Sequence, residues 1–93
     1  MKHTSISPPS VQSYTFGVVI EPDSFGDGMP AYHAYVPVLP SCRSWGYTIE
    51  EALENVEVAA KMLLELMAER GEPIPQEAAV QNQPRITINL SRK

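Results

Sequence analysis

The sequence predicts an α+β domain: an antiparallel three-stranded sheet plus a fourth, C-terminal strand, with one long helix packed on one face. The order is β-β-β-α-β. Three observations carry this prediction. Apolar and polar residues alternate in short runs from Tyr14 to Glu21, Ala31 to Val36 and Arg85 to Leu90, the two-residue period of a half-buried strand. Between Ile49 and about Arg70 the apolar residues recur at steps of three and four instead, which is one face of a helix. Proline and glycine collect between these runs and hardly at all inside them.

The elements follow in order. Met1 to Ser13 is polar, contains Pro8-Pro9 and shows no period, so it reads as a flexible arm ahead of a single domain spanning 14–90. In the first strand Tyr14, Phe16, Val18 and Ile20 share a face. Pro22 to Gly28 is dense in turn formers and links two antiparallel strands. The second strand puts Tyr32, Ala34 and Val36 on one side and His33 and Tyr35 on the other. Pro37 and Pro40 bracket an extended link, because neither can donate to a ladder. Arg43 to Tyr47 is the third strand, with Trp45 and Tyr47 on the same side.

The helix has a clear start. Thr48 is a good N-cap, and Glu51, three residues on, can reach back to the Thr48 N–H and complete a capping box. Ile49, Leu53, Val56, Ala60, Leu63 and Met67 form the apolar stripe, widened by Ala52, Ala59 and Leu66. Lys61 lies four residues from both Glu57 and Glu65, so weak helix-stabilising pairs are available. Glu50 and Glu51 complement the positive helix start and Arg70 the negative end. Gly71 suits the C′ position and Pro73 prevents continuation. Val58 and Met62 fall off the stripe on adjacent turns, as ordinary exposed apolar residues or part of a subunit contact. After a polar connection from Pro75 to Pro84, the last strand turns Ile86, Ile88 and Leu90 inward, and 91–93 form a short basic tail.

Composition narrows the function. At 93 residues, 43% hydrophobic and 19% charged, the chain is one small folding domain with a thin core, for which oligomerisation or a covering partner is expected. No run approaches the ~20 apolar residues of a membrane span, and no apolar signal core opens the chain, so a cytoplasmic protein without membrane contact is expected. The single cysteine, Cys42, excludes an internal disulfide and reads as a small buried hydrophobe. All eleven acids lie between Glu21 and Glu77 against only three bases, Arg43, Lys61 and Arg70. An acidic body argues against a nucleic-acid groove and suits a basic partner.

Catalytic chemistry finds little support. Glu21, Asp23 and Asp27 could cluster around a hard cation, but solvated acids in a Gly/Ser-rich turn are the simpler reading. His3 lies in the arm. His33 could be a surface residue, an interface residue or a base, with no nucleophile or acid placed beside it. No Ser-His-Asp order, zinc spacing, P-loop or dinucleotide fingerprint occurs. No cofactor, metal or catalytic residue is expected. Trp45 and Tyr47 either anchor a partner on an exposed sheet face or complete the core beneath the helix.

The run Leu39-Pro40-Ser41-Cys42-Arg43-Ser44-Trp45-Gly46-Tyr47-Thr48-Ile49-Glu50-Glu51-Ala52-Leu53-Glu54-Asn55 resembles the signature of HicB-like antitoxins, small proteins that mask an RNA-cleaving toxin. Tyr14 to Glu21 looks like that family's first strand. Gly28 to Pro37 looks like its second, with the Tyr-x-Ala-x-x-Pro step at Tyr32, Ala34 and Pro37, and Gly71-Glu72-Pro73-Ile74-Pro75 like its helix exit. Roughly two thirds of the chain is covered. The resemblance implies a partial ribonuclease-H-like fold and a non-enzymatic antitoxin of a type II toxin–antitoxin system. Its implied partner is a small basic HicA-like toxin that cleaves mRNA. Contact candidates are Asp23, Asp27, Tyr32, Tyr35 and Trp45. Homo-oligomerisation is expected. Only Ser91, Arg92 and Lys93 follow the last strand, so a C-terminal DNA-binding domain, and with it direct DNA binding, is not expected. Two local departures stand out: the acidic turn is enlarged, and Ser41 replaces the family's glycine, which makes a left-handed backbone there harder. The alternatives are an orphan binding or oligomerising module of the same fold, and a metal-dependent nuclease.

Overall fold

Extended segments flank one long helix in the order expected, and the computed structural model describes residues 10–76 and 83–92. The strands are β1 (Ser10–Gly17), β2 (Val19–Ser24), β3 (Pro30–Tyr35), β4 (Arg43–Gly46) and β5 (Arg85–Arg92), and helix α1 (Ile49–Glu69) precedes β5. β2, β3 and β4 form an antiparallel sheet with β3 in the middle, while β1 and β5 form a second antiparallel pair. The α+β class with a single helix before the last strand therefore holds.

The expected first strand is two strands. The alternation runs unbroken from Tyr14 to Ile20, but the chain changes partner at Val18. Up to Gly17 it pairs with β5; the Val18 N–H donates to the Pro84 carbonyl at 2.8 Å; from Val19 it pairs with β3. Hydrophobic period reports which face is buried and is blind to which neighbour supplies the ladder. β1 also begins at Ser10, four residues ahead of the apolar period. Its outer face is polar and zipped to β5: Ser13 Oγ donates to Asn89 Oδ1 at 2.6 Å, and the Thr15 and Thr87 hydroxyls lie 3.1 Å apart.

β2 continues through Pro22 to Ser24, into what the turn-forming residues suggested was loop. Pro22 is tolerated because β2 is an edge strand of its sheet. The actual turn is tight. Phe25 N–H donates to the Met29 carbonyl at 3.0 Å, Gly28 N–H to the Phe25 carbonyl at 2.8 Å, and Gly28 takes φ +84°, which glycine adopts without a Cβ penalty.

The core joins Tyr14, Phe16 and Val18 to Ile86, Ile88 and Leu90 on one side, and Ala34, Val36, Leu39 and Cys42 on the other. Helix α1 spans both groups with Ala52, Val56, Ala60 and Leu64, all fully buried. Two residues assigned to its apolar stripe, Ile49 and Leu66, are instead exposed at 45% and 42%. At 100° per residue Leu66 stands about 200° round from Leu64, so both cannot face one sheet.

The helix is capped as its first residues imply. Thr48 Oγ1 accepts the Glu51 N–H at 3.0 Å, whereas Glu51 Oε1 accepts the N–H of Tyr47 at 2.6 Å and not that of Thr48. At the far end Gly71, at φ +69°, donates to the Ala68 carbonyl, and Glu72 N–H reaches the Met67 carbonyl at 2.9 Å. Arg70 sits at the C-cap. The Glu57–Lys61–Glu65 ladder does not close: among the described residues Lys61 holds no ion pair. No helix among them is long and apolar enough to cross a membrane.

Between β3 and β4 the chain makes a compact loop. Val36 N–H donates to the Cys42 carbonyl at 3.0 Å and Cys42 N–H to the Leu39 carbonyl at 2.9 Å, with Leu39 buried beneath. Ser41 closes it at φ +73°. The left-handed turn is thus kept although serine replaces glycine, and the loop carries the cost. Burial pushes the Cys42 thiol up from its ordinary pKa, consistent with a packing role.

Candidate functional site

Side chains alternate across β2–β3–β4, so the ladder sorts them into two faces. Ile20, Tyr32 and Ala34 face the helix and join or pack against the core. The other face carries Glu21, Asp23, His33, Tyr35, Arg43 and Trp45. Glu21, His33 and Trp45 stand directly opposite one another on the three strands, and Val19, Tyr35 and Arg43 form the next row.

These residues touch. The His33 imidazole stacks on the Trp45 indole with centroids 4.7 Å apart and planes 22° from parallel, and lies 5.3 Å from the Tyr35 ring on its other flank. Trp45 Nε1–H donates to Asp23 Oδ2 at 3.0 Å. The opposite edge of the strand is held by Asn55 of the helix, whose Nδ2 donates to the Trp45 carbonyl at 2.7 Å. His33 Nδ1 stands 3.7 Å from Glu21 Oε1. Its Nε2 is enclosed and has no hydrogen-bond partner among the described residues. Beside this row Phe25 packs edge-on against Tyr47 at 4.7 Å.

This face carries two carboxylates, Glu21 and Asp23, and one guanidinium, Arg43. The Ser24 N–H bond to its Oδ1, followed by the Trp45 indole N–H, holds the Asp23 carboxyl below its ordinary range, so it is ionised at neutral pH. Asp27 is occupied locally, accepting the Met29 N–H at 2.9 Å. The three acids considered as a cation cluster thus have separate partners or positions, and no group of three metal-ligating side chains gathers among the described residues. A shallow groove of about 510 Å³ continues the face past Tyr35 and Arg43 toward Pro37 and Pro40.

Of the five contact candidates, the structure brings Asp23, Tyr35 and Trp45 to one face. Tyr32 stands on the helix side, half-buried against the core, and Asp27 lies in the turn. Sequence reasoning left His33 undecided and passed over Glu21 and Arg43 as partners of the aromatic residues. The signal was in the register: once Tyr32 pairs with Gly46 on one side and Pro22 on the other, His33 must meet Trp45 and Glu21.

Residues 16–87 match the family model described as the HicB-like antitoxin of the bacterial toxin–antitoxin system. The chain belongs to the HicB-like antitoxin family. The UPF0150 protein ssr1765 of Synechocystis sp. is 33% identical over 73 residues, covering 78% of this chain and 85% of that protein. The N-terminal domain of antitoxin HicB from Burkholderia pseudomallei has the same fold: its crystal structure superposes with a TM-score of 0.60 at 23% identity, over 83% of this chain and 98% of that one. The match to the family model spans β2, β3, β4 and α1, and therefore every side chain of the aromatic and acidic face.

Proposed function

We propose that this HicB-like antitoxin binds and masks a small, basic HicA-like toxin that cleaves mRNA, and that the outer face of β2–β3–β4 is the masking surface. The observation that supports this surface is the stacked and hydrogen-bonded set Trp45, His33, Tyr35 and Asp23. Aromatic side chains give large contact area at low entropic cost, and Trp and Tyr are enriched at interface centres while acidic groups belong to the rim around them. Here the indole is held by its own hydrogen bond, so little rotamer freedom is lost on docking. Asp23 and Glu21 supply negative charge to a partner whose RNA site must be positive. Inhibition is steric and electrostatic: the face covers the site that the RNA phosphates would occupy, and no residue of this chain performs chemistry. Asp27 acts by holding the turn that carries the acidic edge. Because its target is a messenger-RNA-cleaving enzyme, the complex works in the cytoplasm.

The test is calorimetric titration of the purified protein into the small basic protein encoded beside it, at two salt concentrations, followed by an RNA-cleavage assay on the mixture. Tight binding that weakens with salt, together with loss of cleavage, is the expected result. Binding without loss of cleavage overturns masking. An absence of binding refutes the pairing and favours an orphan module of the same fold.

A further inference from the structure

Among the described residues no strand lies beside the outward edge of β5. The Val18–Pro84 bond sets the alternation of the β1–β5 ladder: Ile86, Ile88 and Leu90 turn their amide and carbonyl groups toward β1, and Thr87, Asn89 and Ser91 turn theirs away. Among the described residues those outward groups meet no backbone partner. Between its terminal residues Arg85 and Arg92 the strand also lacks the usual protection of an edge. From Ile86 to Ser91 it has no proline, no bulge and no charged residue. The far edge of the pair differs, since Pro75 and Gln76 lie alongside Ser13 to Phe16 of β1.

The flank of α1 beside this edge is unusual as well. Glu57, Val58 and Lys61 line a cleft of about 180 Å³ with Thr87, Ile88 and Asn89. Val58 and Met62 are 60% and 66% exposed, and Lys61 has carboxylates four residues away on either side yet holds no ion pair among the described residues. An open strand edge, two exposed apolar side chains and an unpaired cation thus share one border of the molecule.

We propose that β5 of a second copy of this chain adds to that edge, antiparallel, across a two-fold axis at Ile88. In this register Ile88 meets its own counterpart, Ile86 meets Leu90, and Thr87 meets Asn89. The apolar inner row runs on without interruption. The outer row repeats the Ser/Thr/Asn pairing that Ser13–Asn89 and Thr15–Thr87 already make within one chain. An antiparallel copy of the same strand satisfies both rows at once, and the contact is self-complementary, as a two-fold interface requires. The two helices then lie side by side on the same face of a four-stranded sheet. Val58 and Met62 are covered, and Lys61 is presented to the acidic flank of the neighbouring helix. The masking face on β2–β3–β4 is left open in both copies.

The test is the mass of the full chain by light scattering across a dilution series, with hydrogen exchange read at Thr87, Asn89 and Ser91. The expected result is twice the 10.3 kDa of one chain, with those three amides protected in proportion to the dimer fraction. Asn89→Pro deletes an outward N–H and, apart from the exposed Ser13–Asn89 side-chain bond, leaves the backbone ladder to β1 intact, so it should halve the mass while the circular dichroism stays native. Val58→Glu combined with Met62→Glu, which leaves β5 untouched, should weaken the dimer at least tenfold and decides the matter if Asn89→Pro fails to fold. A wild-type monomer at every concentration overturns the proposal, including one whose edge amides are protected by another segment of the chain. So does a dimer that keeps its mass in the helix variant and exchanges those amides freely.

Discussion

Adding one methyl group at Gly46 should unfasten the helix from the sheet. A Cβ built there meets the backbone N of Ala52 at 2.5 Å and the carbonyl carbon of Glu51 at 2.8 Å. Both are main-chain atoms of the first helical turn, so no rotamer change relieves the clash. To restore an ordinary contact the helix start must retreat by close to an ångström from β4. That retreat loosens three things the structure ties together there: fully buried Ala52, the Tyr47 N–H to Glu51 bond, and the Asn55 bond to the Trp45 carbonyl. Overpacking of this kind costs about 1–3 kcal/mol, and a charge-assisted bond adds roughly 1 kcal/mol or more when weakened. Against this, replacing glycine by alanine stiffens the unfolded chain and returns about 0.4–1 kcal/mol. The net expectation for Gly46→Ala is a loss of about 2 kcal/mol, which for a chain of this size lowers the melting midpoint by roughly 8–16 °C. Urea denaturation followed by circular dichroism measures it. Gly26→Ala is the control, because nothing lies within 4 Å of its added Cβ, and it should stay within about 0.5 kcal/mol of wild type. A Gly46→Ala variant as stable as the control would refute the close-approach argument.

Three further outcomes follow from the same geometry. Ser41→Gly should stabilise the protein by about 0.5–1 kcal/mol, because it relieves the left-handed strain at φ +73° at the expense of a freer unfolded chain; a loss of stability in urea would contradict this. Thr48→Ala removes the oxygen that accepts the Glu51 N–H and should cost about 1 kcal/mol, whereas an unchanged midpoint would mean the cap carries no weight. The Asp23–Trp45 bond should be pH-dependent. The folded pKa of Asp23 is lowered from 3.8, so the bond's contribution is complete above that value and is lost as pH falls through the depressed folded pKa. Trp45 is the sole tryptophan, so its fluorescence should change with a midpoint below 3.8 and lose that transition in Asp23→Asn. A midpoint at or above 3.8, or one that survives the substitution, contradicts the assignment.

The helix was readable in the sequence because its determinants are local. Thr48, Glu51, Gly71 and Pro73 mark its ends within a few residues of where they act, and the three-and-four spacing of Val56, Ala60 and Leu63 needs no partner to be seen. Its buried line was less readable, since Leu66 has the right composition but the wrong angle. The strands were found by period, yet their pairing was not. The exchange of partner at Val18 depends on where β5 docks, nearly seventy residues away, and the Ser13–Asn89 and Thr15–Thr87 pairs have no apolar signal at all. The candidate site suffered from the same blindness. Trp45, Tyr35 and Asp23 could be named one by one, but their convergence on His33 is a matter of register between three strands. The tight Phe25–Met29 turn sets that register, and the density of turn formers from Pro22 onward disguised its position.

In the proposed masking complex the Trp45 face, and not the helix flank, meets the toxin. Its most direct test is the dissociation constant of the toxin complex for Trp45→Ala beside that for the Val58→Glu, Met62→Glu variant. Truncating a buried aromatic anchor costs about 2 kcal/mol or more at an interface centre, so Trp45→Ala should weaken binding by roughly thirtyfold or more while the helix variant binds as wild type does. The opposite pattern, full affinity without the indole and loss of binding on the helix side, would contradict the account.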